Sequence, residues 1–115
     1  MPERSVAVLL EDMTDAAGRI LEYTDGYDLS RFVADTRTFD AVLRNLEVLG
    51  EAAAQVPAPF RARHPGIPWR QIIGLRNVVV HRYFAVDPET VWTIVATQLP
   101  LLLPQLHELE PDTGA

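Results

Sequence analysis

Apolar residues recur at intervals of three and four along most of this chain of 115 residues. That spacing places them on one face of an α-helix, whereas a half-buried strand would require strict alternation. Prolines and glycines interrupt the pattern at a few points, and each interruption separates one helix from the next. The sequence therefore predicts an all-α protein, folded as a compact bundle of four to five helices with most neighbours antiparallel.

Start signals define most of the predicted helices. Ser5 and Asp28 precede the first two helices and have the side-chain oxygen of an N-cap residue, and Asp87 does the same for the last helix. The fourth helix begins near Pro68 and contains Val78-Val79-Val80, a run that is too short and isolated to predict a strand. The predicted ranges are 5–23, 29–34 and 38–55 for the first three helices, 68 onwards for the fourth and 87 onwards for the last.

Prolines also predict where helices end. Pro57 stops the third helix, because proline lacks the N–H that a helix interior requires. Pro100 and Pro104 are expected to kink the last helix or to end it early. We expect residues 1–109 to form a single helical domain and residues 110–115 to form a flexible C-terminal tail.

Several classes of protein are excluded by composition. No apolar run approaches the roughly 20 residues of a membrane span. The chain has no cysteine, so disulfides and thiolate metal sites are impossible. A cytoplasmic protein without membrane contact is expected. The apolar run Leu101-Leu102-Leu103 indicates one more buried surface, either a dimer interface or a buried helix end.

Charge is distributed unevenly along the chain. The formal net charge is −6, which argues against a general nucleic-acid coat. Between Ala52 and Val86, however, there is no Asp or Glu. We call this stretch the acid-free window, and its cationic or titratable residues are Arg61, Arg63, His64, Arg70, Arg76, His81 and Arg82. A solvated surface explains such a window equally well, but its arginines are also suited to binding phosphate.

One segment of the window combines residues with complementary chemistry. Arg76 and His81 are about 140° apart around a regular helix, and a long arginine can span that angle. Asn77 shares a face with His81, and Tyr83 aligns with Arg76 if the helix continues. An imidazole can move a proton at neutral pH, and a guanidinium can stabilise the charge that develops on a phosphate during cleavage. The set is suited to metal-independent cleavage of RNA, whose 2'-hydroxyl is an internal nucleophile.

Other interpretations of the same residues stay open on spacing alone. An arginine and a histidine on one helix commonly form a salt bridge, a cap or an ordinary surface pair. The three histidines lie too far apart in sequence for metal-ligand spacing, and no glycine-rich phosphate loop occurs. We therefore predict no metal and no cofactor. Glu47 and Glu51 are expected to lie on a solvated helix face or to bridge to Arg44.

The stretch from Trp69 to Tyr83 resembles the signature of the HepT-like toxins, which belong to the HEPN superfamily of ribonucleases. The family pattern is Arg, a polar residue, three further residues, His, any residue and Tyr, and every position of it matches here. The stretches Leu46–Ala52 and Asp87–Trp92 are also similar to the family. The resemblance covers most of the chain and implies a HEPN-like fold.

The resemblance also implies a mode of action. HepT-like proteins are homodimers in which two copies of the motif face each other across a cleft, and they cleave RNA without a metal. The resemblance implies that Arg76 and His81 are catalytic and that Asn77 and Arg82 support them. The usual partner of a HepT-like protein is a minimal nucleotidyltransferase antitoxin, MntA. It transfers AMP from ATP onto the tyrosine of the motif, here Tyr83. The chain is thus predicted to be the toxin of a toxin–antitoxin pair.

A different class of function remains as the alternative. The chain could be a non-catalytic helical module that binds a nucleotide or a partner and assists a minimal nucleotidyltransferase. A plain structural dimer is a weaker third interpretation. Partner binding without RNA cleavage would distinguish the module from the ribonuclease.

Overall fold

The computed structural model describes residues 4–80 and 87–109, and the regular structure in these ranges is entirely helical. The all-α prediction is therefore confirmed. If the continuous segment 88–108, which comprises two α-helices and a π turn, is counted as one helix, the described residues form six helices, one more than the upper limit of the predicted four to five. The elements are α1 (Val6–Tyr23), α2 (Leu29–Ala34), α3 (Thr36–Gln55), α4 (Ala58–Arg63), α5 (Trp69–Val80), α6 (Pro88–Thr93), a π-helical turn (Ile94–Gln98) and α7 (Leu99–Glu108).

The N-cap residues explain most helix starts. Ser5 accepts a hydrogen bond from the backbone N–H of Val8, and Asp28 accepts one from that of Arg31. Asp87 accepts from the N–H of Glu89, so the predicted start of the last helix is confirmed. After α1, Gly26 has a φ of 77°, a conformation that glycine adopts without steric cost and that turns the chain towards α2.

Helix α3 ends at Gln55, so the stop predicted at Pro57 is confirmed, but the short helix α4 that follows was not predicted. Pro57 is the N-cap residue of α4, and its neighbour Pro59 lies in the first turn, where the missing N–H is not needed. Phe60 anchors this helix because it is buried and contacts the ring of Trp69 edge-on at 6.4 Å between centroids. Pro57 thus separates α3 from a new helix.

The last helical segment does not end at its prolines, so that part of the prediction is wrong. The chain stays helical from Pro88 to Glu108, and the irregularity is the π turn just before Pro100. In this turn the N–H of Leu99 bonds to the carbonyl of Ile94, five residues earlier. A proline ring clashes with the carbonyl four residues before it, and the wider π turn accommodates that carbonyl.

Most core residues come from α1, α3, α5 and α7. Helix α3 is central because it packs against α1 on one side and against α5 on the other, while α7 covers α1. Phe32 of α2 is fully buried and contacts both Phe39 of α3 and Trp92 of α6. This packing fixes α5 against α3, and α5 carries the first half of the predicted motif.

At the start of α3, the N-cap residue Asp35 stabilises the fold to a degree that depends on pH. Asp35 accepts hydrogen bonds from the hydroxyl of Tyr27 at 2.6 Å and from the N–H and hydroxyl of Thr38. The Tyr27 hydroxyl, with the Thr38 bonds, lowers the pKa of Asp35 from 3.8 to about 2. Because the pKa is lowered in the folded state, this group's stabilisation is fully present above pH 3.8 and is lost as the pH falls to about 2.

We expect Asp35→Asn to lower the melting temperature at neutral pH, because asparagine keeps a capping oxygen but lacks the charge. The difference between wild type and variant should shrink as the pH is lowered from 3.8 to about 2, where wild-type Asp35 becomes protonated. Thermal unfolding of both proteins across this range, followed by circular dichroism, measures the difference. A difference that stays constant with pH would contradict this role for Asp35.

Candidate functional site

The described arginines of the acid-free window lie on α4 and α5. Arg61 and Arg63 are in the last turn of α4, and the guanidinium of Arg63 stacks over the ring of Phe60. Arg70 is exposed in the first turn of α5, and Arg76 is half-buried further along it. The predicted helix containing Val78-Val79-Val80 is confirmed, because α5 continues to Val80.

Arg76 lies at a close contact between α3 and α5, and Gly50 makes this contact possible. A Cβ atom at Gly50 would lie 2.6 Å from Cγ of Arg76 and 3.2 Å from both the Arg76 backbone nitrogen and the carbonyl oxygen of Ile72. Any side chain at position 50 would overlap the aliphatic part, or stem, of the Arg76 side chain. Arg76 can therefore pack here only because residue 50 has no Cβ atom. Gly50 belongs to the predicted third helix, but its contact with Arg76 was not predicted.

Within the described part of the chain, the Arg76 guanidinium makes two hydrogen bonds. Its Nε donates to the carbonyl of Ile73 at 3.3 Å, and its Nη1 donates to Oε1 of Glu51 at 3.4 Å. Both distances are long for such bonds, and 39% of the side-chain surface of Arg76 remains exposed. The guanidinium is therefore oriented by the fold and still accessible to a ligand.

The two glutamates of α3 have different partners. Glu47 pairs with Arg44 at 3.5 Å, as predicted. Glu51 lies exposed, as expected for a solvated face, but its ion pair is with Arg76 and not with Arg44. The pairing with Arg76 was not predicted, because the two residues are 25 positions apart and meet only when α3 packs on α5.

Asn77 follows Arg76 directly and is exposed on α5. The structure therefore brings the first two motif residues to the surface of one helix. His81, Arg82 and Tyr83 lie outside the described residues. Their predicted roles, and their predicted placement around the helix relative to Arg76, remain predictions.

A separate groove of about 240 Å³ lies between α5 and α7. Its described lining is mainly apolar, with Ile72, Leu75 and Leu102, and among these described residues are three glutamines and no charged side chain. Leu101 at its edge is 73% exposed, whereas Leu102 is buried. The apolar run predicted to form one buried surface is therefore divided between core and solvent.

The described residues contain no group of three or more His, Cys, Asp or Glu side chains that could hold a metal ion. In the same ranges no helix is long and apolar enough to cross a membrane.

Comparisons with known proteins identify relatives over nearly the whole chain. The family model described as "Ribonuclease HepT-like" matches residues 13–109. A protein of Methanocaldococcus jannaschii named "Putative RNase" is 35% identical over 100 residues, which are 87% of this chain and 92% of that protein. The "Probable ribonuclease HepT" of Thermococcus cleftensis is 36% identical over 107 residues, 93% of this chain and 97% of that protein. No solved structure matches the chain.

Proposed function

This chain belongs to the HepT-like ribonuclease family, and we propose that it is a metal-independent endoribonuclease in which Arg76 and His81 cleave RNA. One observation carries the proposal. Arg76 is fixed between α3 and α5, is partly exposed and lies within a stretch that contains no acidic residue. A cation in this setting can bind a phosphate without a neighbouring carboxylate on its own helix.

The chemistry follows from the two side chains. A base removes the proton of the RNA 2'-hydroxyl, whose oxygen attacks the adjacent phosphorus. An acid then protonates the departing 5'-oxygen, and a 2',3'-cyclic phosphate remains. His81 performs these proton transfers because an imidazole titrates near neutral pH. Arg76 stabilises the additional negative charge on the phosphorane by directed hydrogen bonds.

A homodimer would make this site complete. A single copy carries a net charge of −6 and one motif, whereas two facing copies supply two imidazoles, so that one can act as base and the other as acid. Arg82 adds to the positive charge of such a cleft, and Asn77 orients His81 or the scissile phosphate. The exposed position of Asn77 supports this role.

The biological role that we propose is that of a toxin, whose RNA cleavage in the cytoplasm slows growth. A minimal nucleotidyltransferase of the MntA type is the antitoxin, and it transfers AMP onto Tyr83. The added phosphate would place negative charge near Arg76 and compete with RNA for it. The alternative is a non-catalytic module that binds a nucleotide or this same partner.

The purified chain is expected to cleave single-stranded RNA in the presence of EDTA. The same sequence with 2'-O-methyl groups should resist cleavage, because it lacks the nucleophile that the mechanism requires. Electrophoresis of end-labelled RNA measures cleavage, and resistance of the 3' product ends to phosphatase until acid treatment identifies the cyclic phosphate. Cleavage of the 2'-O-methyl RNA, or a requirement for added metal, would contradict the proposed mechanism. Binding to the nucleotidyltransferase without any RNA cleavage would favour the alternative.

A further inference from the structure

Glu51 is the last acidic residue before the acid-free window, and its partner is the arginine of the motif. The carboxylate is on α3 and the guanidinium is on α5, so the pair forms only in the folded protein. The neighbouring residue Gly50 admits the stem of the same arginine. A single turn of α3 thus contacts both the stem and the charged end of Arg76.

Arg76 is fixed at three points along its side chain. Its Cγ lies against Gly50, its Nε donates to the carbonyl of Ile73 and its Nη1 donates to Glu51. Ile73 lies one turn before Arg76 on α5, so its bond orients the guanidinium only locally. Glu51 lies on a second helix, α3, and its carboxylate holds the guanidinium from there.

These contacts leave part of the guanidinium available. An arginine has five N–H donors, and within the described residues the two hydrogen bonds use one on Nε and one on Nη1. No hydrogen bond to a described residue uses the three other donors, which include both on Nη2, and the side chain is 39% exposed. A phosphate oxygen can therefore bind to Arg76 while Glu51 still holds it.

We propose that Glu51 is a positioning residue for Arg76, which it holds by accepting a hydrogen bond from Nη1 before RNA binds. This inference rests on the proposed ribonuclease function. An arginine that is ordered in advance loses less conformational entropy when it contacts the phosphorane. More of the interaction free energy between arginine and phosphorane therefore lowers the activation barrier to cleavage. Glu51 itself does not touch RNA in this scheme, because its charge would repel a phosphate.

The opposite role, competition with RNA for Arg76, has different consequences. A competing carboxylate would weaken RNA binding, and its removal would lower KM without lowering kcat. A positioning carboxylate acts on kcat, and its removal would not raise KM because the lost charge has the same sign as RNA. The separate effects on kcat and KM therefore distinguish the two roles.

Three variants test the positioning role. Glu51→Ala removes the acceptor, and we expect kcat to fall by roughly fivefold, the upper range for an exposed ion pair, with KM unchanged or lower. Glu51→Gln keeps an acceptor oxygen without the charge, and its kcat should lie closer to wild type than to Glu51→Ala. Glu47→Ala removes the matched carboxylate one turn earlier, whose partner is Arg44, and should leave both constants unchanged. Melting temperatures measured in parallel show whether each variant is folded under the assay conditions.

A kcat of Glu51→Ala equal to that of wild type would overturn the inference, and so would a Glu51→Gln variant as slow as Glu51→Ala. Arg76→Ala is assayed alongside them, because continued cleavage by that variant would show that the proposed function assigns Arg76 wrongly. Nuclear magnetic resonance of the arginine side chains gives a readout that does not depend on cleavage. The Nε–H of Arg76 should be well ordered in wild type and more mobile in Glu51→Ala. Equal order in both proteins would show that Glu51 does not hold Arg76.

Discussion

Arg76→Ala is expected to reduce RNA cleavage by a factor on the order of 10²–10³, the loss that follows removal of one hydrogen-bond donor from a transition-state site. The phosphorane carries more negative charge than the RNA phosphate, so Arg76 interacts more strongly with the transition state than with bound RNA. The loss should therefore appear in kcat more than in KM.

The fold is expected to tolerate this substitution. The Arg76 side chain is 39% exposed, and its pairing with Glu51 is a surface ion pair, worth at most about 1 kcal/mol. Alanine is also the residue most favourable to a helix. Thermal unfolding should show a change of stability within about 1 kcal/mol of wild type.

A matched control is available on the first helix. Arg19 is exposed on α1, outside the acid-free window, so Arg19→Ala removes the same charge from a helix surface without affecting the proposed site. Its cleavage rate should equal that of wild type. Arg76→Lys should recover little activity, because an ammonium group cannot reproduce the planar, directed donors of a guanidinium. A fully active Arg76→Lys would mean that only the charge matters.

Gly50→Ala is expected to destabilise the protein by about 1–2 kcal/mol, although alanine is normally preferred to glycine in a helix. The new Cβ would lie 2.6 Å from Cγ of Arg76 and 3.2 Å from two backbone atoms of α5. A flexible side-chain end could move aside, but here backbone atoms of α5 are also in the way. The two helices must separate or the arginine stem must turn, and either change costs packing energy.

The same substitution should also slow RNA cleavage, because the displaced stem carries the guanidinium away from Glu51. Gly18→Ala on α1 is the control, since a Cβ at Gly18 meets no atom of the described residues within 4 Å. That variant should gain about 0.5–1 kcal/mol and cleave RNA normally. Urea unfolding and the cleavage rate of both variants measure these effects. A Gly50→Ala protein as stable and active as wild type would contradict the close contact between α3 and α5.

The helices could be predicted because their signals are local. Ser5, Asp28 and Asp87 cap helices through side chains that reach only a few residues along the chain. The capping role of Asp35 could not be predicted from the apolar pattern, because the first three residues of α3, Thr36 to Thr38, are polar and the pattern begins only at Phe39. Pro57 was interpreted only as a stop, although proline also fits the start of a helix such as α4.

The arrangement around Arg76 could be predicted only in part. The motif residues are recognisable from the sequence, but periodicity does not show that Glu51 meets an arginine 25 residues away. One signal was available for Gly50. It lies one turn after Leu46 on the apolar face of α3, and a glycine at a buried helical position indicates a close approach by another chain segment. Which segment approaches is decided by tertiary packing.

The joint action of Arg76 and His81 on one RNA phosphate is tested most directly by a double-mutant cycle. Single-turnover cleavage of one RNA in EDTA is measured for wild type, Arg76→Ala, His81→Ala and the double variant. Two groups that act on the same transition state are strongly non-additive, so the double variant should be hardly slower than the slower single variant. Cleavage at the wild-type rate by either single variant, or losses that multiply in the double variant, would contradict the account.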